Sequence, residues 1–151
     1  MKALVQRVKR ASVAIGGSKV SEIGQGILAL VCVVEGDTEK DCDYLVKKCA
    51  SLRIFNDEEG IMNRSLADTG GELLAVSQFT LAARTRKGNR PSYADAARHE
   101  TAVPLYERFC NESEILLGRR VGRGVFGADM LVEIENDGPV TIMVDSREGE
   151  K

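Results

Sequence analysis

The sequence predicts an α+β domain with a mostly antiparallel sheet, expected to be barrel-like, and two main helices. Stretches with the two-residue alternation of strands outnumber stretches with helical spacing. The chain also begins with a meander of strands and lacks the regular strand–helix alternation of a parallel sheet. Its 151 residues, 43% of them hydrophobic and 29% charged, suit one domain spanning residues 1–151.

The first part of the chain is predicted to form strands. Residues 2–8 and 11–15 have strand patterns, and the cluster Gly16-Gly17-Ser18 supplies a turn before a short strand near 19–23. The run from Ile27 to Val34 is continuously apolar and rich in β-branched residues. Such a run is typical of a strand that is covered on both faces.

A helix is predicted at residues 38–51. Thr38 is a suitable N-cap, and Glu39 follows it in the first turn, where a negative charge is favourable. Apolar residues then recur at helical spacing: Cys42, Leu45, Val46, Cys49 and Leu52. Residues 52–55 are predicted as a brief strand, and residues 56–71 as a turn and an excursion over the surface.

Four further elements are predicted in the second half of the chain. Residues 73–79 form another buried strand, and residues 101–111 form the second helix. Residues 131–135 and 140–144 alternate strictly, with Asn136-Asp137-Gly138-Pro139 between them. Because Asp-Gly between alternating strands is a strong hairpin signal, we expect the C-terminal part to form a hairpin.

The charge and the cysteines narrow the class of protein. A net charge of −2 and a pI near 5.6 argue against a protein that coats nucleic acid over a long footprint. The N-terminus lacks the apolar core of a signal peptide, and no apolar run could span a bilayer, so a cytoplasmic protein without a membrane partner is expected. Four cysteines without metal-binding spacing are expected to be reduced core thiols: Cys32, Cys42, Cys49 and Cys110.

A search for a side-chain nucleophile and base finds little. The single histidine, His99, lies in a charged context and is predicted to be a solvated surface residue. Neither a G-x-S-x-G, an H-E-x-x-H nor a Walker motif is present. Ser77 and Thr80 lie at a strand end, where a hydroxyl is usually hydrogen-bonded or caps a turn. If the protein is an esterase, its acid–base chemistry is not expected to come from a side-chain triad.

Two segments taken together indicate a family. Ser77-Gln78-Phe79-Thr80-Leu81 and Asn136-Asp137-Gly138-Pro139-Val140-Thr141 resemble the paired motifs SQFTL and N-x-G-P-V-T of the D-aminoacyl-tRNA deacylases. Further segments also resemble that family: MKALVQRV, LRIFNDE, KGNRPSY and VGRGVFGADM. The similarity therefore extends over essentially the whole chain.

This resemblance implies a homodimer with two active sites at the subunit interface. Gly138-Pro139 is expected to be a cis peptide that projects into the pocket of the opposite subunit and excludes L-amino acids, whereas glycine is accepted. The aminoacyl-adenosine end of the tRNA is expected to lie against Ser77, Gln78, Phe79 and Thr80. The main-chain amides of Phe79 and Thr80 are expected to receive the carbonyl oxygen. No metal, cofactor or DNA partner is implied.

Several alternatives stay open. Proton transfer is assigned to the 2′-hydroxyl of the substrate's terminal ribose and water, and the competing view makes Thr80 a nucleophile. A basic loop in this acidic chain is expected either to hold tRNA phosphates near the acceptor end or simply to be solvated: Arg84, Arg86, Lys87 and Arg90. Rival functions are a non-catalytic dimer that binds an RNA end or a nucleotide, and an interaction protein.

Overall fold

A computed structural model of the chain describes residues 1–148, so the last three residues of the expected domain lie outside the described part. In chain order the elements are β1 (Lys2–Ile15), β2 (Ser18–Ile23), β3 (Gly26–Cys32), α1 (Glu39–Ser51), β4 (Phe55–Asn56), β5 (Met62–Arg64), α2 (Leu66–Thr69), β6 (Glu72–Ser77), a 3-10 turn (Phe79–Ala82), α3 (His99–Leu117), β7 (Gly122–Arg123) and β8 (Leu131–Asp145). The predicted α+β class and the two main helices, α1 and α3, are confirmed.

Strand β1 organises the sheet. It pairs antiparallel with β8 along one edge, and with β3 and then β2 along the other. The two strands predicted at residues 2–8 and 11–15 are therefore one long strand. The pairing register with β8 shifts between Gln6 and Arg10, so the break seen in the sequence corresponds to irregular pairing within one strand.

The sheet is mixed: the three pairs that β1 forms are antiparallel, and two further pairs are parallel. β6 runs parallel to β3, and β7 runs parallel to β6. The chain leaves β3 through α1 before it returns as β6, and a long connection of this kind allows two strands to run in the same direction. The resulting six-stranded sheet is nearly closed and barrel-like, as expected.

The apolar run of β3 is buried on both faces, as predicted. Ile27, Ala29 and Val31 belong to a core cluster shared with α1 and α3. Leu28, on the opposite face of the strand, packs in a second cluster with residues of β1, β2 and β6. Side chains alternate between the two faces of a strand, so a strand between two cores requires an apolar residue at every position.

Both long helices begin near their predicted positions, but the second is longer than predicted. Thr38 precedes α1, and its amide donates to the Asp41 carboxylate at 2.8 Å. The predicted helix 101–111 instead runs from His99 to Leu117 and ends at Gly118, which has a left-handed conformation. Its buried stripe continues beyond residue 111 with Ser113 and Leu117, which explains the extra turns.

The segment 56–71, predicted as a turn and an excursion over the surface, contains regular secondary structure. β4 and β5 form a small hairpin, which places the predicted strand 52–55 slightly later in the chain. The single turn of α2 follows, and the Ser65 side chain accepts a hydrogen bond from the Asp68 amide at 3.1 Å.

The C-terminal segment forms one strand, and the predicted hairpin is wrong. β8 follows β1 from Leu131 to Asp145, with Asn136 opposite Val8 and Thr141 opposite Gln6. The four residues between Asn136 and Thr141 therefore have too few partners on β1 and protrude from the strand as a bulge. We call residues 137–140 the Gly-Pro bulge. The local turn signal is real, but pairing with β1 on both sides keeps the chain in one strand.

The cysteines are buried and free, as predicted. Burial raises the pKa of the Cys49 thiol to about 12 and that of Cys110 to about 11. Within residues 1–148, no three His, Cys, Asp or Glu side chains are grouped so that they could hold a metal ion. In the same range, no helix is long and apolar enough to cross a membrane.

Candidate active site

The end of β6 leads into a tight turn with two free amides. The Gln78 amide still donates to the Val31 carbonyl at 2.7 Å, and the 3-10 turn then begins at Phe79. Within the described residues, the amides of Phe79 and Thr80 donate to no backbone carbonyl. The first amides of a helical turn have no acceptor within that turn, so these two donors are available to a ligand.

The Thr80 hydroxyl lies beside an amide and not beside a base. Gln78 Nε2 donates to Thr80 Oγ1 at 2.6 Å. In the described part of the chain, that is the one side chain hydrogen-bonded to this hydroxyl. A neutral amide cannot remove the hydroxyl proton, so the arrangement does not activate Thr80 as a nucleophile.

A pocket of about 190 Å³ opens beside this turn. It is lined by Val31, Val33, Ser77, Gln78, Phe79, Ala96, Ala97, His99, Ala102, Tyr106 and Phe126. The Phe126 ring contacts two other rings, with centroid distances of 5.4 Å to His99 and 5.9 Å to Tyr106. The pocket is therefore largely apolar and aromatic, with Ser77, Gln78 and the turn at one side.

Three of the pocket's rings were not predicted as site residues. His99 is exposed, as predicted, but its ring packs edge-on against Phe126 and lines the pocket. Tyr106 belongs to the buried stripe of α3, and Phe126 lies in the VGRGVFGADM segment that resembles the deacylases. Neither residue carries a signal of its own, because their proximity depends on how α3 packs against the sheet.

Burial keeps two groups near the pocket in their neutral forms. Burial raises the pKa of the Cys32 thiol, which lies 3.6 Å from the Phe79 carbonyl oxygen. Burial also raises the pKa of Tyr106, whose hydroxyl donates to the Ala75 carbonyl at 2.8 Å. Neither group is therefore prepared to act as a nucleophile or a base near neutral pH.

The second motif lies on the Gly-Pro bulge, and Arg7 holds it there. The Gly138-Pro139 peptide is cis, and Gly138 has a φ of 121°, which favours glycine. Arg7 is 9% exposed and donates to the carbonyl oxygens of Asp137, at 3.1 Å, and Ile54, at 2.6 Å. A Cβ atom on Gly138 would lie 2.8 Å from Arg7 Nη2. The bulge is thus closely fitted to a buried, fixed side chain.

The structure does not bring the two motifs together within one chain. Arg7 pairs with Ile27, which pairs with Leu73, whereas Ser77 lies four residues further along β6. At about 3.3 Å per residue, Arg7 and Ser77 are therefore about 13 Å apart in the direction of the strands. The bulge and the Ser77 end are also on different strands of the sheet, with β1 and β3 between them. Among the described residues, those that line the pocket do not include Gly138 or Pro139.

The predicted basic loop is a short excursion closed by main-chain hydrogen bonds. Arg84 and Ser92 exchange bonds of 2.8 and 3.0 Å, and the Arg84 guanidinium pairs with the Asp95 carboxylate. The remaining three basic side chains, Arg86, Lys87 and Arg90, are exposed beyond this closure. The structure therefore separates Arg84, which has a partner, from the three residues of the loop tip.

A family model and a curated relative indicate the same family, and two solved structures share the fold. The model of the family described as D-Tyr-tRNA(Tyr) deacylase matches residues 4–145. A relative from Bacteroides thetaiotaomicron named D-aminoacyl-tRNA deacylase is 55% identical over 150 residues, which cover 99% of this chain and 100% of the relative. The solved structure of a c-Myc DNA unwinding element binding protein is 43% identical, with a TM-score of 0.90, and covers 96% of this chain and 98% of its own. A probable eukaryotic D-amino acid tRNA deacylase shares the fold, with a TM-score of 0.80 at 19% identity over 95% of this chain and 98% of its own.

Proposed function

The chain belongs to the D-Tyr-tRNA(Tyr) deacylase family, which confirms the resemblance of its motifs, and we propose that it is a proofreading esterase with selectivity for chirality. It is a hydrolase that deacylates tRNA. The bond broken is the ester that joins a D-amino acid, or glycine, to the 3′ end of a tRNA. L-aminoacyl-tRNA is rejected.

The observation that carries the proposal is the pair of free amides beside the pocket. Hydrolysis of an ester places negative charge on the former carbonyl oxygen, and fixed N–H donors stabilise that charge. The amides of Phe79 and Thr80 have no backbone acceptor in the described part of the chain, and Phe79 itself lines the pocket. Main-chain donors of this kind supply stabilisation without any particular side chain, in agreement with the lack of a triad.

The proton transfers are assigned to the substrate and to water. In this scheme the 2′-hydroxyl of the terminal ribose assists the attack of a water molecule on the ester carbonyl carbon. The tetrahedral intermediate collapses to the free amino acid and a tRNA with a 3′-hydroxyl. Thr80 is the weaker candidate because its hydroxyl accepts a hydrogen bond from the Gln78 amide and has no base beside it.

Selectivity is assigned to a second copy of the chain. The Gly-Pro bulge is remote from the pocket of its own chain and protrudes from an edge strand, so it is available to enter the pocket of a partner in a homodimer. At an L-configured α-carbon the side chain would point toward such a backbone wall, whereas in the D form a hydrogen takes that place. Glycine has no side chain to exclude. Arg7 donates to the Asp137 carbonyl of the bulge and to the Ile54 carbonyl before β4, which ties the bulge to the rest of the fold, and a wall of this kind must be rigid to discriminate.

The exposed tip of the basic loop is assigned to the acceptor end of the tRNA. Arg86, Lys87 and Arg90 are exposed and therefore free to approach phosphates. Arg84 is assigned a structural role because its guanidinium is occupied by Asp95. No cofactor is required by this mechanism.

The proposal is tested by the hydrolysis of three charged tRNAs. Rapid release of D-tyrosine from D-tyrosyl-tRNA, slower release of glycine from glycyl-tRNA and negligible release of L-tyrosine are expected. Protection of the D-tyrosyl ester would instead support the rival, an RNA-end binding protein without catalysis. A D-tyrosyl-tRNA ending in 2′-deoxyadenosine tests the proton route, since full activity on it would exclude assistance by the 2′-hydroxyl.

A further inference from the structure

Two exposed aromatic rings touch each other at the mouth of the pocket. Phe79 is 55% exposed and Tyr93 is 40% exposed. Their ring centroids lie 5.1 Å apart, with an angle of 73° between the ring planes. Phe79 also lines the pocket, whereas Tyr93 does not. Single exposed apolar residues are ordinary, but two large rings in contact beside a pocket form a patch to which a ligand can bind. We call these residues the aromatic pair.

The two rings of the aromatic pair flank the basic loop in the chain. Tyr93 directly follows Ser92, and the Ser92 amide and carbonyl close that loop through their bonds with Arg84. The tip residues Lys87 and Arg90 therefore lie on a short, closed segment that ends beside Tyr93 in the chain. Aromatic faces beside basic side chains are the combination that binds single-stranded nucleic acid, because bases stack on the rings while phosphates meet the cations. An apolar protein partner would gain nothing from these charges.

We propose that Phe79 and Tyr93 form a stacking platform for the base of the nucleotide that precedes the terminal nucleoside of the substrate. The platform rests on the proposed function, which places the terminal aminoacyl-nucleoside in the pocket. Phe79 borders both the pocket and the platform, so the next nucleotide of a single strand leaves the pocket at the rings. The edge-on contact between the rings covers a face of one ring at most, which leaves another face free to receive a base.

The test compares two esters that differ in length. One is the D-tyrosyl ester of adenosine, and the other is the D-tyrosyl ester of the trinucleotide cytidylyl-cytidylyl-adenosine. For the wild-type chain we expect a higher kcat/KM on the trinucleotide. Tyr93→Ala should lower the ratio of kcat/KM on the trinucleotide to kcat/KM on the adenosine ester about tenfold, mainly through the KM for the trinucleotide, because a stacked base contributes affinity of about this size.

Two further variants distinguish a loss of stacking from a general loss of folding or activity. Tyr93→Phe keeps the ring and should keep the wild-type ratio. Tyr44→Ala removes another exposed tyrosine, on helix α1, where it lies near Lys48, and should leave both kcat/KM values unchanged. Thermal unfolding of each variant shows whether the chain is folded before the rates are compared.

Three outcomes decide the proposal. An unchanged ratio in a folded Tyr93→Ala chain overturns it. An equal loss on both esters, together with dissociation in analytical ultracentrifugation, also overturns it and assigns the rings to an interface between copies of the chain. If the wild-type chain cleaves neither ester, the proposed function fails. The platform is then tested by binding of the trinucleotide without an attached amino acid, which Tyr93→Ala must weaken about tenfold.

Discussion

The Nε atom of Arg7 lies 3.1 Å from the carbonyl oxygen of Asp137, and this hydrogen bond joins the first strand of the chain to the Gly-Pro bulge of the last. A second bond, from Nη1 to the Ile54 carbonyl at 2.6 Å, extends the same side chain to the segment before β4. The guanidinium is almost fully buried, so these contacts are shielded from water. One side chain thus fixes the position of the bulge.

Arg7→Ala should destabilise the fold. A buried and a partly buried carbonyl oxygen would lose a charged donor, so we expect the free energy of unfolding in urea to fall by about 2–4 kcal/mol. Arg10→Ala is the matched control, since Arg10 lies on the same strand in an exposed ion pair with Glu135. Its removal should change stability by less than about 1 kcal/mol. Equal effects of the two variants would contradict a special role for Arg7.

Gly138→Ala should disturb both the bulge and the selectivity. The new Cβ atom would lie 2.8 Å from Arg7 Nη2, at a φ of 121° that alanine rarely adopts. We expect a loss of about 2–4 kcal/mol in stability and a rise in hydrolysis of L-tyrosyl-tRNA relative to D-tyrosyl-tRNA. Gly17→Ala has a comparable strain, at a φ of 81°, but no atom within 4 Å of the new Cβ. Gly17→Ala should therefore lose less stability than Gly138→Ala, because its backbone is strained but the new side chain meets no other atom. Its selectivity should stay that of the wild type.

Thr80→Ala should keep most of the deacylase activity. The proposed catalytic donor at this position is the main-chain amide, which the substitution retains, and the hydroxyl has no base beside it. We expect kcat on D-tyrosyl-tRNA to remain within about tenfold of wild type, whereas loss of a true nucleophile costs on the order of 10⁴-fold or more. The measurement is the single-turnover rate of hydrolysis. A decrease of about 10⁴-fold in that rate would support Thr80 as the nucleophile.

The tip of the basic loop should set part of the salt dependence of tRNA binding. Removing two phosphate contacts with Arg86→Ala and Lys87→Ala together should reduce the slope of log K against log salt by somewhat less than two. Lys47→Ala with Lys48→Ala removes two exposed charges from helix α1 and serves as the control. The same slope in the wild type and the loop variant would mean that the loop is merely solvated.

Buried thiols should make the fold less stable in alkali. The pKa of Cys49 is raised to about 12 by burial, so the folded chain keeps its proton when the unfolded chain loses it above about pH 9. Stability is therefore complete below pH 9 and falls as the pH rises toward 12. Cys49→Ala should reduce this fall by up to about 1.4 kcal/mol per pH unit, as measured by urea unfolding between pH 8 and 10.5. Ser51→Ala, on the same helix, should leave the pH dependence unchanged.

The sequence by itself determined the features that depend on local composition. The run from Ile27 to Val34 predicted a strand buried on both faces, because only an unbroken apolar run suits a position between two cores. The spacing from Cys42 to Cys49 predicted the buried face of α1 and the burial of its thiols. The two motifs were sufficient to indicate the family, since they and the segments around them match it along the chain.

The tertiary structure decided everything that depends on distant partners. Asp137-Gly138 carries a hairpin signal, yet β1 offers pairing partners on both sides of it, and Arg7 anchors the excursion as a bulge within one strand. His99 and Phe126 are far apart in sequence, and only the packing of α3 places their rings in one pocket. Local propensity acts over a few residues, whereas these contacts depend on which surfaces the whole chain can bury together, so no pattern within a single segment could have predicted them.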